Sequence, residues 1–229
     1  MPIEPQTAAL FAKFAARFGQ PIFGLAGRAA TRLAESLTLN LAPYYETTIA
    51  RCSNIRTLIS RDQSIPMDSI YVPTYLSVGE KTTNEDDFIE AIPRVRSIII
   101  CGSGGCGKSI FTRHLFLSLA NGATAALPIL VELRGMNALA TAKILPYVYH
   151  TVVLGPGAVI TERQFESAVK EGAIYLILDG FDDLVNKSIP FRGACLGAAP
   201  CAKIPCAKHY SGQGPMRKIF IPLMEASNV

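Results

Sequence analysis

Residues 102–109 read Gly-Ser-Gly-Gly-Cys-Gly-Lys-Ser, a complete G-x-x-x-x-G-K-[ST] element. Each residue type in it answers a physical need. The glycines let the backbone turn tightly and aim its N–H groups at phosphate oxygens. Gly102, Ser103, Gly104, Gly105, Cys106 and Gly107 would form that cradle, and Lys108 would reach the β- and γ-phosphates. The Ser109 hydroxyl is placed to sit on Mg²⁺. The ligand implied is a nucleoside triphosphate, ATP or GTP.

The flanks agree with the motif. Arg96–Cys101 is a short apolar, β-branched run, as a buried parallel strand requires. After the loop, Ile110, Phe111, Leu115, Leu117, Leu119 and Ala120 fit a mostly buried helix, and Asn121-Gly122 makes its stop. A helix beginning there puts its positive dipole end where the phosphates would lie. Gly102, Gly104 and Gly107 also spell the dinucleotide fingerprint, with Glu132 on the next predicted strand. Lys108 and Ser109 have no role in that fold, which favours the phosphate loop.

A second constellation lies downstream. Ala173–Leu178 is another apolar run, and it ends in Asp179-Gly-Phe-Asp-Asp183. A hydrophobic strand tipped by an acid is what a Walker B element needs. Asp179 would hold the Mg²⁺ shell. Asp182 and Asp183 lie where a carboxylate orients or activates the attacking water. Taken alone, the same residues also describe an acidic turn closing a buried strand.

Together these residues resemble the NACHT family of signal-transduction NTPases, which carries small and acidic residues directly after the Walker B aspartate. Pro128–Arg134 is similar to that family's second core strand, and Ile70–Leu76 to the segment leading into its nucleotide domain. The resemblance runs from about Ser69 to about Leu184. It departs at Asp183, where the family commonly has Glu. It implies ATP or GTP binding that switches an oligomerising signal protein, with slow hydrolysis resetting it, in defence or immunity. A family core would continue with another strand bearing a phosphate-sensing group and with helical and winged-helix subdomains. The residues after Asp183 show no such pattern, so a chain truncated after the Walker B element is expected.

The remaining core reads as β-loop-α-β-α-α-β. Leu127–Leu133 is a strand. Residues 137–150 are helix-like, with Pro146 expected to kink or restart the helix. Thr161-Glu-Arg-Gln164 is a capping box opening a helix through Val169. This order predicts an α/β fold, a parallel sheet flanked by helices, with ligands at the carboxyl ends of the strands.

Composition bounds the rest. Hydrophobic residues make up 49% of 229 and charged residues 17%, and the mean hydropathy is +0.28. A large core is affordable, with some apolar surface left for contact with other elements or partners. The net charge of +4 forms no dense basic block, so nucleic-acid binding is not inferred. No apolar stretch is long enough for a membrane span, and no ordinary signal peptide opens the chain. A cytoplasmic setting is expected, with Cys101 and Cys106 as free thiols.

Three regions follow: a helical region at 1–68, a partial NTPase domain at 69–187, and an irregular segment at 188–229. In the first, Phe11, Phe14 and Phe18 recur at helical spacing, with Lys13 and Arg17 between them. Such a helix can lie on a membrane, although packing in a bundle is preferred. Further helices are expected at about 27–41 and 44–60. Residues 71–94 read as a linker, with Asp86, Asp87 and Glu90 in a solvated acidic loop rather than a metal cluster. Cys195, Cys201, Cys206 and His209 lack the tight pairing of zinc ligands. Two other functions fit the same loop: a nucleotide-dependent interaction module without turnover, and a small-molecule kinase. The kinase would need a lid with arginines, and only Arg192 and Arg217 follow the Walker B element.

Overall fold

The computed structural model describes residues 28–55, 64–78, 80–92, 97–102, 105–123, 126–138, 143–154, 160–170, 173–180, 201–203 and 217–222. In chain order the elements are α1 (Arg28–Ser53), β1 (Asn54–Ile55), β2 (Ile65–Pro66), β3 (Tyr75–Val78), β4 (Lys81–Asn84), α2 (Glu85–Ala91) and β5 (Ser97–Gly102). There follow α3 (Lys108–Ser118), β6 (Leu127–Glu132), α4 (Ile144–Val148), α5 (Glu162–Lys170), β7 (Ile174–Asp179), β8 (Cys201–Lys203) and β9 (Arg217–Pro222). Short 3-10 or π turns lie at Met67–Ser69, Leu119–Ala123, Leu133–Ala138 and Tyr149–Val153.

Seven of the strands form one sheet in the order β4-β3-β8-β5-β9-β7-β6. β6 and β7 pair in parallel along their full length, from Leu127↔Ile174 to Glu132↔Asp179. β5 and β8 are also parallel. β9 runs antiparallel to both β5 and β7. Two strands that each oppose β9 must run alongside one another in the same direction, so β5, β6, β7 and β8 form the expected parallel set. Around this set the sheet is mixed: β9 opposes it, and β3 and β4 form an antiparallel hairpin on one side. The segment after residue 188, read as irregular, thus contributes two strands to the sheet. The reason is backbone satisfaction: β5 and β7 stand one strand apart, and only a strand between them can pair the polar groups that face the gap.

One buried cluster joins the described elements. It runs from Leu41 and Tyr45 on α1 through Phe111, Leu115 and Phe116 on α3 to the strands β5, β6 and β7. β6 and β7 are buried at every residue except the last, Glu132 and Asp179, as parallel strands covered on both faces must be.

α1 differs from the sequence expectation. It is one helix of 26 residues with Pro43 inside it, where two helices were expected. Tertiary docking overrides the local breaker here, because Leu41 and Tyr45 flank Pro43 and both are fully buried. Residues 40–55 therefore share the core of the sheet rather than forming a core of their own.

The same helix also closes a sheet edge. β6 pairs only with β7, which leaves its other side unpaired among the described residues. Tyr44 Oη donates to the Leu130 carbonyl at 2.9 Å and accepts from the Leu130 N–H at 2.7 Å. Tyr45 Oη donates to the Pro128 carbonyl at 2.7 Å. Pro128, which has no N–H to offer, occupies the edge-facing register where its loss is harmless. Burial pushes both tyrosine hydroxyls above their usual range, so they stay protonated and able to donate. A side chain that occupies edge groups blocks pairing with another chain.

Smaller expectations resolve simply. Thr161 and Gln164 form the capping box: the Gln164 N–H donates to Thr161 Oγ1 at 3.3 Å, and the Thr161 N–H donates to Gln164 Oε1 at 2.9 Å. Pro146 does not kink a long helix. It sits in the first turn of α4, where a missing N–H has no intrahelical partner to lose. The helix expected at residues 7–18 lies outside the described residues. No helix among the described residues is long and apolar enough to cross a membrane.

Candidate nucleotide site

The sheet topology creates the site. β5 ends at Gly102 and β7 ends at Asp179, and because the two run in the same direction both ends emerge on one edge of the sheet. The phosphate-loop candidate and the Walker B candidate are thereby brought together.

The described part of the loop has the backbone such a cradle needs. Gly105 and Gly107 have φ of +77° and +86°, a left-handed conformation that costs a non-glycine residue about 1–2 kcal/mol. A Cβ added at either would meet nothing within 4 Å, so what these glycines supply is conformation rather than room. Gly107 is the N-cap of α3, and its carbonyl accepts from the Phe111 N–H at 2.9 Å. The first amides of a helix have no intrahelical acceptor and point out of its end. Ser103 and Gly104 lie outside the described residues, as do Asp182 and Asp183, the candidate water-orienting acids.

Lys108 opens α3 and is only 6% exposed. Its Nζ donates to the Gly102 carbonyl at 2.9 Å and to Cys106 Sγ at 3.4 Å. The ammonium is thus held between Gly102 and Cys106, one on either side of the loop's first turn in sequence. Cys106 is a free thiol, as is Cys52.

Asp179 accepts from the Gly180 N–H at 2.9 Å and from the Ser109 hydroxyl. Burial raises its carboxyl above the ordinary value near 3.8, and Glu132 on the neighbouring strand adds repulsion. The Ser109 and Gly180 hydrogen bonds and the Arg113 charge pull the other way without cancelling the rise. Glu132 itself pairs with Arg51 at 3.1 Å, an exposed pair of little energetic weight. The Ser109 hydroxyl and the Asp179 carboxylate are hard oxygen donors already in contact, so the pair fits Mg²⁺.

A stability consequence follows from the raised carboxyl. The folded chain holds the Asp179 proton more tightly than the unfolded chain does. The group therefore favours folding below pH 3.8, and that contribution is lost as pH rises through the folded value. Asp179→Asn keeps the shape and removes the buried charge. The ligand-free variant is expected to unfold at a higher temperature than wild type at pH 7, with the gap closing toward about pH 4. Melting curves across that range check it. A variant less stable at pH 7 would show that the charge is needed for folding.

Beside the loop lies a pocket of about 360 Å³. Its floor comes from Cys106, Gly107, Ile110 and Phe111, and its wall from Ile55, Ile70, Tyr71, Val72 and Thr74. The stretch read as a linker is this wall together with the hairpin β3–β4 and the helix α2. Asn84 caps α2, accepting from the Asp87 N–H at 2.8 Å. Asp86, Asp87 and Glu90 are exposed, as expected.

Sequence reading missed the neighbouring Glu85, which is 1% exposed. It accepts from Tyr71 Oη at 2.6 and 2.7 Å, from the Thr74 N–H at 2.9 Å and from His114 Nδ1 at 2.6 Å. The available signal was Asn84-x-x-Asp87, an N-cap pattern that starts a helix at Glu85. Nothing local indicated that the first acid would point inward.

Comparison with known proteins agrees with this geometry. The family model for the NACHT domain matches residues 96–208, a span that begins just before β5 and covers the glycine loop, β6, β7 and β8. A search of the curated proteins finds no match. With the loop, the acid-tipped strand and the family match in one place, the chain carries a NACHT domain, which has the P-loop NTPase fold.

Proposed function

We propose that the chain binds Mg·ATP, in preference to Mg·GTP, as the switch of a NACHT-type signalling protein, with slow hydrolysis resetting it. The carrying observation is the contact between Ser109 and Asp179, which joins the two motifs at one point beside Lys108. In this reading the amides at the start of α3 and the Lys108 ammonium hold the phosphates. Ser109 and Asp179 hold Mg²⁺, which when bound screens the charge between neighbouring phosphate oxygens. The apolar pocket next to Gly107 takes the base. Asp182 or Asp183 orients water. Self-association and a role in defence or immunity are the setting that the family implies.

Calorimetric titration with Mg·ATP and Mg·GTP tests this. The expected result is one site per chain with ATP the tighter ligand. No binding by protein shown to be folded would overturn the proposal.

A second reading, nucleotide binding without turnover, draws on β9. Its reversed course brings Arg217, at the start of a strand, into register with Gly102. In an all-parallel sheet a strand's carboxyl end would stand there. Phosphate release under saturating Mg·ATP separates the two readings.

A further inference from the structure

The pocket wall from Tyr71 to Thr74 is irregular backbone without helix or strand pairing, yet a base would have to meet it in a fixed place. Two local bonds anchor its start: the Ile70 and Tyr71 N–H groups both donate to the Met67 carbonyl, at 3.0 and 2.8 Å. The rest hangs on one buried carboxylate. Glu85 takes the Tyr71 hydroxyl at one end of the wall and the Thr74 N–H at the other. It also takes His114 Nδ1, and His114 lies on α3, the helix that begins with Lys108 and Ser109. The Tyr71 and His114 rings stack with centroids 4.0 Å apart and planes 15° apart. The wall is thus tied to the phosphate-loop helix twice, through the Glu85 carboxylate and through the Tyr71–His114 stack.

A buried carboxylate is costly unless every lone pair is used. Here three donor groups use them, and burial is outweighed by the hydrogen bonds from His114, Tyr71 and Thr74, so the carboxyl sits below its ordinary value. A fully satisfied buried network of this kind rigidifies the segment it holds. Rigidity in a wall raises affinity by removing the ordering cost at binding.

We propose that Glu85, acting through Tyr71 and Thr74, is the positioning residue that fixes the base-side wall of the pocket and so sets the base-dependent part of nucleotide affinity. This rests on the nucleotide reading of the site. On that reading the phosphates are held by the Lys108 ammonium and the amides at the start of α3, not by the wall. Affinity for a ligand with phosphates alone should therefore be indifferent to the wall.

The experiment measures binding of Mg·ATP, and of Mg·tripolyphosphate as a base-free probe, to wild type, Tyr71→Phe and Glu85→Gln. Tyr71→Phe keeps the ring stacked on His114 and removes only the hydroxyl, so it serves even where Glu85→Gln fails to fold. ATP affinity is expected to fall about tenfold in each folded variant, the size of one lost charge-assisted hydrogen bond. Tripolyphosphate affinity is expected to stay within about twofold of wild type. ATP affinity unchanged in Tyr71→Phe, or both ligands weakened together, overturns the inference. A wild type that binds neither ligand overturns the nucleotide reading instead.

Discussion

Lys108→Ala is expected to lower affinity for Mg·ATP about a hundredfold, near 2.7 kcal/mol, the upper range for hydrogen bonds to a charged group. The reasoning starts from where the side chain lies. It is 6% exposed, and its ammonium already spans the loop to Gly102 and Cys106. A triphosphate arriving over the loop meets a positive charge held in place, with little side-chain entropy left to lose on binding. Alanine removes the charge and keeps the helix, since α3 is capped by the Gly107 backbone rather than by the lysine. The ligand-free variant should therefore melt near the wild-type temperature, while the stabilisation that nucleotide confers on wild type disappears. Titration calorimetry and melting curves with and without Mg·ATP check both halves. A variant that binds as wild type would show that phosphates do not sit over this loop.

The second large effect concerns folding. Phe116→Ala is expected to destabilise the protein by about 3–5 kcal/mol, the range for emptying a buried aromatic site. Phe116 is fully buried on α3. Its ring stacks on Tyr45 at 6.0 Å and 17°, and meets Tyr44 edge-on at 6.5 Å and 83°. The two tyrosines are those whose hydroxyls occupy the free edge of β6. The cavity thus opens at the joint between α1, α3 and the sheet. Loss of stability should be accompanied by easier detachment of α1, read as faster amide exchange at Leu130 than elsewhere in β6. Urea unfolding gives the magnitude. A loss under about 1 kcal/mol would mean that α1 is not part of the cooperative core, contrary to the cluster that contains Leu41 and Tyr45.

The two motifs were legible because their chemistry is local. A loop that binds phosphate needs glycine at positive φ, a lysine and a hydroxyl within eight consecutive residues, and Gly105, Gly107, Lys108 and Ser109 satisfy that without reference to the rest of the chain. The same holds for the capping box at Thr161 and Gln164, and for the apolar runs that became β5, β6 and β7. Each is a statement about neighbours in sequence, and the physics that enforces it acts over a few residues.

Other features depended on partners far along the chain. Pro43 reads as a breaker, but α1 continues through it because Tyr44 and Tyr45 dock on β6, more than eighty residues away. Arg217–Pro222 lies in a stretch read as irregular, and becomes a strand by pairing with β5 on one side and β7 on the other. Glu85 stands among acids that are exposed, and differs from them only because Tyr71, Thr74 and His114 surround it. Sequence alone thus determined the residue pattern of the loop and the α/β class, since both follow from short-range backbone and side-chain rules. The tertiary structure alone decided which strand ends share an edge, which acid is buried and what walls the pocket, because burial and pairing are properties of groups that meet only after the chain has folded.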